Sequence, residues 1–127
     1  MADNQKPVIL IVEDDPVLSK MYSEKFIFEG FSVVTAKDGQ EALEKASGQI
    51  ISIILLDIML PRMSGTDFLE SYRKTSKGKN TPVVALTNLD EEEERARAKH
   101  LGVKEYLTKS GQTPENVVKK IKSYVTT

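Results

Sequence analysis

The 127 residues carry 18 basic and 19 acidic side chains, for a formal net charge of −1, with 39% hydrophobic and 29% charged residues and no cysteine. That length suits one compact domain with a substantial core, and the composition matches neither a disordered, a fibrous nor a membrane chain. Disulfides, thiol nucleophiles, zinc–thiolate sites and iron–sulfur clusters are excluded, the near-neutral charge gives no pull toward nucleic acid or anionic lipid, and a polar start before a short apolar run predicts neither signal peptide nor membrane span, hence a cytoplasmic location.

Val8-Ile9-Leu10-Ile11-Val12 is a β-branched apolar run without polar alternation, the pattern of a strand buried on both faces. Asp15-Pro16 reads as an N-cap and first helical residue, opening a helix to about Glu29 that Gly30 stops. Phe31 to Thr35 predicts a short second strand and Asp38 to Ser47 a second helix, with Ala42, Leu43 and Ala46 at helical spacing. Ile51 to Leu56 reads as a third strand, followed by a loop with Pro61 and Gly65 and a helix over Thr66 to Lys74. After a polar turn at Lys77 to Asn80, a fourth strand is predicted over Pro82 to Leu86, a fourth helix over Asp90 to Leu101 closed by Gly102, and a fifth strand over Glu105 to Thr108. The last helix, Pro114 to Val125, gathers Val117, Val118, Ile121, Tyr124 and Val125 on one face. Strands alternating with helices predict an α/β, doubly wound (βα)₅ fold: a five-stranded parallel sheet with helices on both faces. A single domain is expected over 1–127, with its core at about 7–125.

Open α/β sheets bind their ligands beyond the carboxyl ends of the strands. Glu13, Asp14 and Asp15 follow the first strand, Asp57 the third and Thr87 the fourth, while Lys109 lies at the end of the fifth. Clustered carboxylates raise one another's pKa unless a cation compensates, and an all-oxygen donor set without His or Cys favours Mg²⁺. Mg²⁺ points to phosphate chemistry, in which Asp57 can act as nucleophile, Lys109 supplies positive charge and Thr87 a hydroxyl. Asp15 is explained by helix capping, whereas Glu13 and Asp14 have no evident structural task. His100 reads as an exposed residue favourable to a helix C-terminus. The acid-first fourth helix reads as a solvated face carrying Glu91–Arg95 and Glu93–Arg97 pairs. With little apolar surface beyond Ala96, Ala98 and Leu101, that helix should be loosely held.

Four ordered motifs carry a resemblance: Ile9-Leu10-Ile11-Val12-Glu13-Asp14-Asp15, Leu55-Leu56-Asp57-Ile58-Met59-Leu60-Pro61 with Gly65, Ala85-Leu86-Thr87 and Tyr106-Leu107-Thr108-Lys109. Over nearly its whole length the chain resembles the receiver domain of two-component response regulators. The resemblance implies the flavodoxin-like strand order 2-1-3-4-5 and a signalling phosphoacceptor that catalyses only its own phosphorylation and dephosphorylation. Asp57 is then the phosphoacceptor, served by a histidine kinase or phosphotransfer domain. Asp14, Asp57, the Met59 carbonyl and Glu13 hold Mg²⁺, and Lys109 contacts the phosphoryl group. Thr87 and Tyr106 switch the surface formed by the fourth helix, fifth strand and fifth helix, which binds a downstream protein without direct nucleic-acid or membrane binding. The chain is expected as a monomer or a weak, phosphorylation-dependent dimer, with no output domain, acting through another protein or as part of a longer regulator.

Two positions depart from the family pattern: Asn88 stands where a small residue is usual, and Ser110 where proline is, so a cis peptide after Lys109 is in question. Three other readings compete. A flavodoxin-like cofactor binder would share the sheet, but Glu13-Asp14-Asp15 would repel a flavin phosphate. An Asp-nucleophile phosphatase would want a second acid at Met59 and a capping insertion. A degenerate receiver that only binds partners would not need Asp57, Thr87 and Lys109 together.

Overall fold

The computed structural model describes residues 6–88 and 91–125. Asp90, the expected start of the fourth helix, and the polar leader over 1–5 lie outside the described residues.

Five apolar side chains in a row have no side to turn to water, and VILIV forms the inner strand β1 (Val8–Val12), paired in parallel on both edges. With β2 (Ser32–Ala36), β3 (Ile53–Leu56), β4 (Val83–Thr87) and β5 (Glu105–Thr108) it builds one parallel sheet in the order β2-β1-β3-β4-β5, the order that the family resemblance implies. The register sets Val12 beside Leu56 and Thr87 beside Thr108, so the strands end on one common edge.

Alternate strand residues divide the core into two layers. Leu10, Val12, Ile54, Leu56, Val83 and Ala85 face helices α2 (Gly39–Ser47) and α3 (Gly65–Arg73), meeting Ala42, Phe68 and Tyr72. Ile9, Ile11, Ile53, Leu55, Val84 and Leu86 face helices α1 (Pro16–Phe28) and α5 (Pro114–Ser123), meeting Tyr22, Phe26, Val117 and Ile121. Helix α4 (Glu92–His100) buries only Ala98 among its own residues.

Capping follows the predicted chemistry. The Asp15 carboxylate accepts from the Val17 and Leu18 amides, Asp38 accepts from Glu41, Ser64 from Asp67 and Thr113 from Asn116. Gly30 and Gly102 close α1 and α4 with φ of 96° and 84°, a region that side chains disfavour.

The differences from expectation are local. Phe31 stays with α1, its amide donating to the Phe26 carbonyl, so β2 begins at Ser32. β3 begins at Ile53 because the Ser52 hydroxyl accepts the Val8 amide in place of a ladder bond, although Ile51 is still buried. β4 excludes Pro82, which has no amide to donate, and takes in Thr87. α5 ends at Ser123, with Tyr124 and Val125 still packed on its core layer. A 3₁₀ turn at Lys109–Gly111 was not foreseen.

Candidate phosphoacceptor site

Glu13 follows β1 and Asp57 follows β3, each anchored by a bond to the neighbouring strand: the Glu13 amide donates to Ala36 and the Asp57 amide to Val12. Both carboxylates are buried, at 8% and 5% exposure, while Asp14 between them is exposed. One oxygen from each of Glu13, Asp14 and Asp57 lies within 4.8 Å of the others.

The Asp57 side chain is held from two directions. Its Oδ1 accepts the Met59 amide at 3.0 Å, and its Oδ2 accepts the Lys109 ammonium at 3.1 Å. Lys109 Nζ reaches Glu13 Oε1 as well, at 2.9 Å. Glu13 Oε2 takes the Asp15 amide, so this residue also has the local structural task that the sequence did not reveal. The peptide after Lys109 is trans, since no cis bond occurs among the described residues, and Ser110 therefore brings no proline-like kink.

α3 is laid directly on this segment. The Gly65 amide donates to the Ile58 carbonyl, and a Cβ on Gly65 would stand 2.3 Å from the Asp57 carbonyl oxygen, so only glycine permits the approach.

One ammonium does not balance three carboxylates. Burial pushes the Glu13 carboxyl above its ordinary value of 4.5, its hydrogen bonds from Lys109 and Asp15 pull the other way without cancelling that rise, and the Asp57 charge adds to it. For Lys109, burial disfavours the charged form, but hydrogen bonding to Glu13 and Asp57 and their charges outweigh it and raise the ammonium above its ordinary 10.5. The surplus negative charge, the all-oxygen donors and the open Asp14 side fit a hard divalent cation with retained water.

Residues 9–122 match the family model of the response regulator receiver domain. The chain belongs to that family. Among its relatives, the probable transcriptional regulatory protein TcrX of Mycobacterium tuberculosis is 38% identical over 118 residues, covering 93% of this chain and 50% of TcrX; the chain thus spans about half the length of that relative. The chemotaxis protein CheY4 of Vibrio cholerae superposes with a TM-score of 0.87 at 31% identity, over 94% of this chain and 99% of CheY4. The receiver domain of the sensor histidine kinase PA1611 from Pseudomonas aeruginosa, with a magnesium ion coordinated in its active-site cleft, superposes with a TM-score of 0.84 at 26% identity, covering 95% and 98%. Receiver domains are signalling domains rather than enzymes of the usual kind, act with histidine kinases or phosphotransfer proteins, and generally bind Mg²⁺ at an acidic pocket. No helix among the described residues is long and apolar enough to cross a membrane.

The remaining expected site residues of this receiver domain take these positions. Thr87 is fully buried at the last place in β4, and Asn88 beyond it is exposed. Tyr106, on β5, is half-buried against the α2/α3 core layer, and the Arg95 guanidinium stands 4.6 Å from its ring centre. Met59 is 55% exposed beside Asp57. Asp15 is a cap, and His100 an exposed residue in the last turn of α4.

Sequence reasoning missed how α4 is held. Arg97 does not turn back to Glu93: it donates to Asp67 and Glu70 of α3 at 2.8 Å each and to the Thr66 hydroxyl at 3.0 Å. Thr66, fully buried, donates in turn to Glu94. The charged face is therefore a tether between helices. The one signal available was the pair of acids, Asp67 and Glu70, spaced along one face of α3.

Proposed function

We propose that Asp57 accepts a phosphoryl group from a histidine kinase or phosphotransfer protein, and that Glu13, Asp14, Asp57 and the Met59 carbonyl hold Mg²⁺ for that reaction. The observation carrying this reading is the Lys109 ammonium bridging two buried carboxylates, Glu13 and Asp57, with a third, Asp14, beside them.

An Asp57 carboxylate oxygen attacks phosphorus. The bond to the donor nitrogen breaks, and an acyl phosphate forms as the donor imidazole regains a proton. Mg²⁺, when bound, offsets charge on the transferring oxygens. Lys109 supplies fixed positive charge on the same side, and the Met59 amide orients the nucleophile.

The product adds roughly −1.5 to −2 charge and new acceptor oxygens beside Asp57. The Thr87 hydroxyl gains a partner there, and Tyr106 moves inward as Thr87 shifts. α4, β5 and α5 then present the altered surface to a protein target. The test is incubation with acetyl phosphate and Mg²⁺ followed by intact mass. A phosphoryl adduct on the wild type and none on Asp57→Asn is expected; an equal adduct on both would refute the assignment.

A further inference from the structure

The end of the sheet opposite Asp57 holds a second concentration of charge. Residues 73–79 carry Arg73, Lys74, Lys77 and Lys79 without an acid, and residues 99–104 carry Lys99, His100 and Lys104 without one. These two stretches form the α3–β4 and α4–β5 loops, joined where the Lys104 amide donates to the Val83 carbonyl. Between them lies a cleft of about 420 Å³, bordered by Arg73, Lys79, Asn80, Thr81, His100 and Lys104 and by no carboxylate.

Arg73 is the fixed element of this cleft. Its Nε donates to the Leu101 carbonyl at 2.9 Å, and its Nη1 donates to the Gly78 and Thr81 carbonyls at 2.8 and 2.7 Å. Nη2 has only a long 3.5 Å approach to the Gly102 carbonyl, on the exposed side. Three N–H groups thus lock the guanidinium, and Nη2, on the exposed side of a residue that lines the cleft, keeps donor capacity to spare. All its partners are neutral carbonyls, and burial holds the Arg73 guanidinium below its ordinary range, as expected of a cation with no carboxylate beside it. The nearest acids in sequence are engaged elsewhere: Glu70 with Arg97, and Glu105 with the Tyr124 hydroxyl and Lys120.

We propose that this cleft is a binding site for a small molecule carrying two or more phosphate groups. A planar guanidinium edge already immobilised by its surroundings binds phosphate with little further ordering. Lys79 and Lys104 around it supply charge for a second group, and His100, Asn80 and Thr81 supply polar atoms. A concave floor with one fixed donor suits a compact ligand better than a nucleic-acid backbone, which reads a strip of charge. Leu101 is the only large apolar side chain of the lining, so an acyl chain has little to bind. Because Arg73 also holds the Leu101 carbonyl, an occupant bears directly on the C-terminal end of α4.

The test is ¹⁵N-resolved NMR titration of the full chain with pyrophosphate and with ADP, both without Mg²⁺, against sodium sulfate at matched ionic strength. Saturable shifts are expected at the Gly78, Lys79, Gly102 and Lys104 amides and not at Glu13, Asp57 or Met59. The exposed pair Lys79→Glu and Lys104→Glu, whose thermal melt checks the fold, should weaken binding by roughly tenfold or more. ADP binding tighter than pyrophosphate means the site also reads the nucleoside; equal binding means that it reads phosphates alone, and either supports the proposal. Shifts that fail to saturate, that sulfate reproduces, that persist in the double variant, or that a short duplex DNA produces at lower concentration than ADP would overturn it.

Discussion

Glu13 does three things with one carboxylate: it anchors the Asp15 amide, pairs with Lys109 and stands among the cluster acids. Its pKa is raised, so as pH falls it takes up a proton earlier than a glutamate at 4.5. A metal needs that carboxylate deprotonated. Mg²⁺ affinity should therefore be full well above the Glu13 pKa and decline on acidification from a higher pH than an ordinary glutamate would give. Calorimetric Mg²⁺ titrations from neutral to mildly acid pH measure this; Glu13→Gln should bind Mg²⁺ more weakly but with a flatter pH dependence. Gly65 is the complementary case, where what counts is the absence of a side chain. Gly65→Ala pushes a methyl group into the Asp57 carbonyl and the Ile58 Cα, and should cost about 1–3 kcal/mol in denaturant unfolding and slow phosphorylation by acetyl phosphate. At this scale the sequence was readable wherever a residue's place after a strand fixed its surroundings. It was silent on the Met59 amide and on the Asp15 amide's bond to Glu13, since both depend on loop backbone geometry.

Among the elements, α4 departs most from its sequence reading. An i,i+4 pattern is all that a single helix displays, so Arg97 looked like a partner of Glu93. Its true partners, Asp67 and Glu70, are 30 and 27 residues away on another helix. α4 buries one alanine and is otherwise tied by polar groups in partial contact with water, each worth little alone. Arg97→Ala should therefore lower hydrogen-exchange protection along α4 while leaving that of β1 and β3 unchanged. Thr87→Ala makes a useful comparison: Asp57 should still be phosphorylated, yet NMR shifts across α4, β5 and α5 should no longer follow. An unaltered response in that variant would remove Thr87 from the proposed switch. The strands, in contrast, were legible almost to the residue, because continuous apolar runs have one stable place, the middle of a covered parallel sheet. Their ends moved by one or two residues, where the Phe31 amide stays with α1, where the Ser52 hydroxyl replaces a ladder bond, or where Pro82 cannot donate and Thr87 joins the strand.

Over the whole molecule, a net charge of −1 conceals a separation of charge along the strands, acids at one end of the sheet and bases at the other. Composition averages this away, and the basic cleft was not apparent because it joins two loops far apart in sequence, whereas the acids stood directly after predicted strands. The doubly wound parallel sheet was predictable from alternation and its strand order from the family resemblance; the tethers that decide which parts move were not.

Lys109 enters the carboxylate cluster from the turn after β5, an edge strand paired on one side only. A nascent polypeptide in which the other four strands have already assembled would gather the acids and still lack their ammonium. Detachment of that rim from an otherwise intact fold would have the same effect. The charge balance around Asp57 therefore depends on β5 being docked, and any partly folded form without that edge strand would hold the acids without their ammonium.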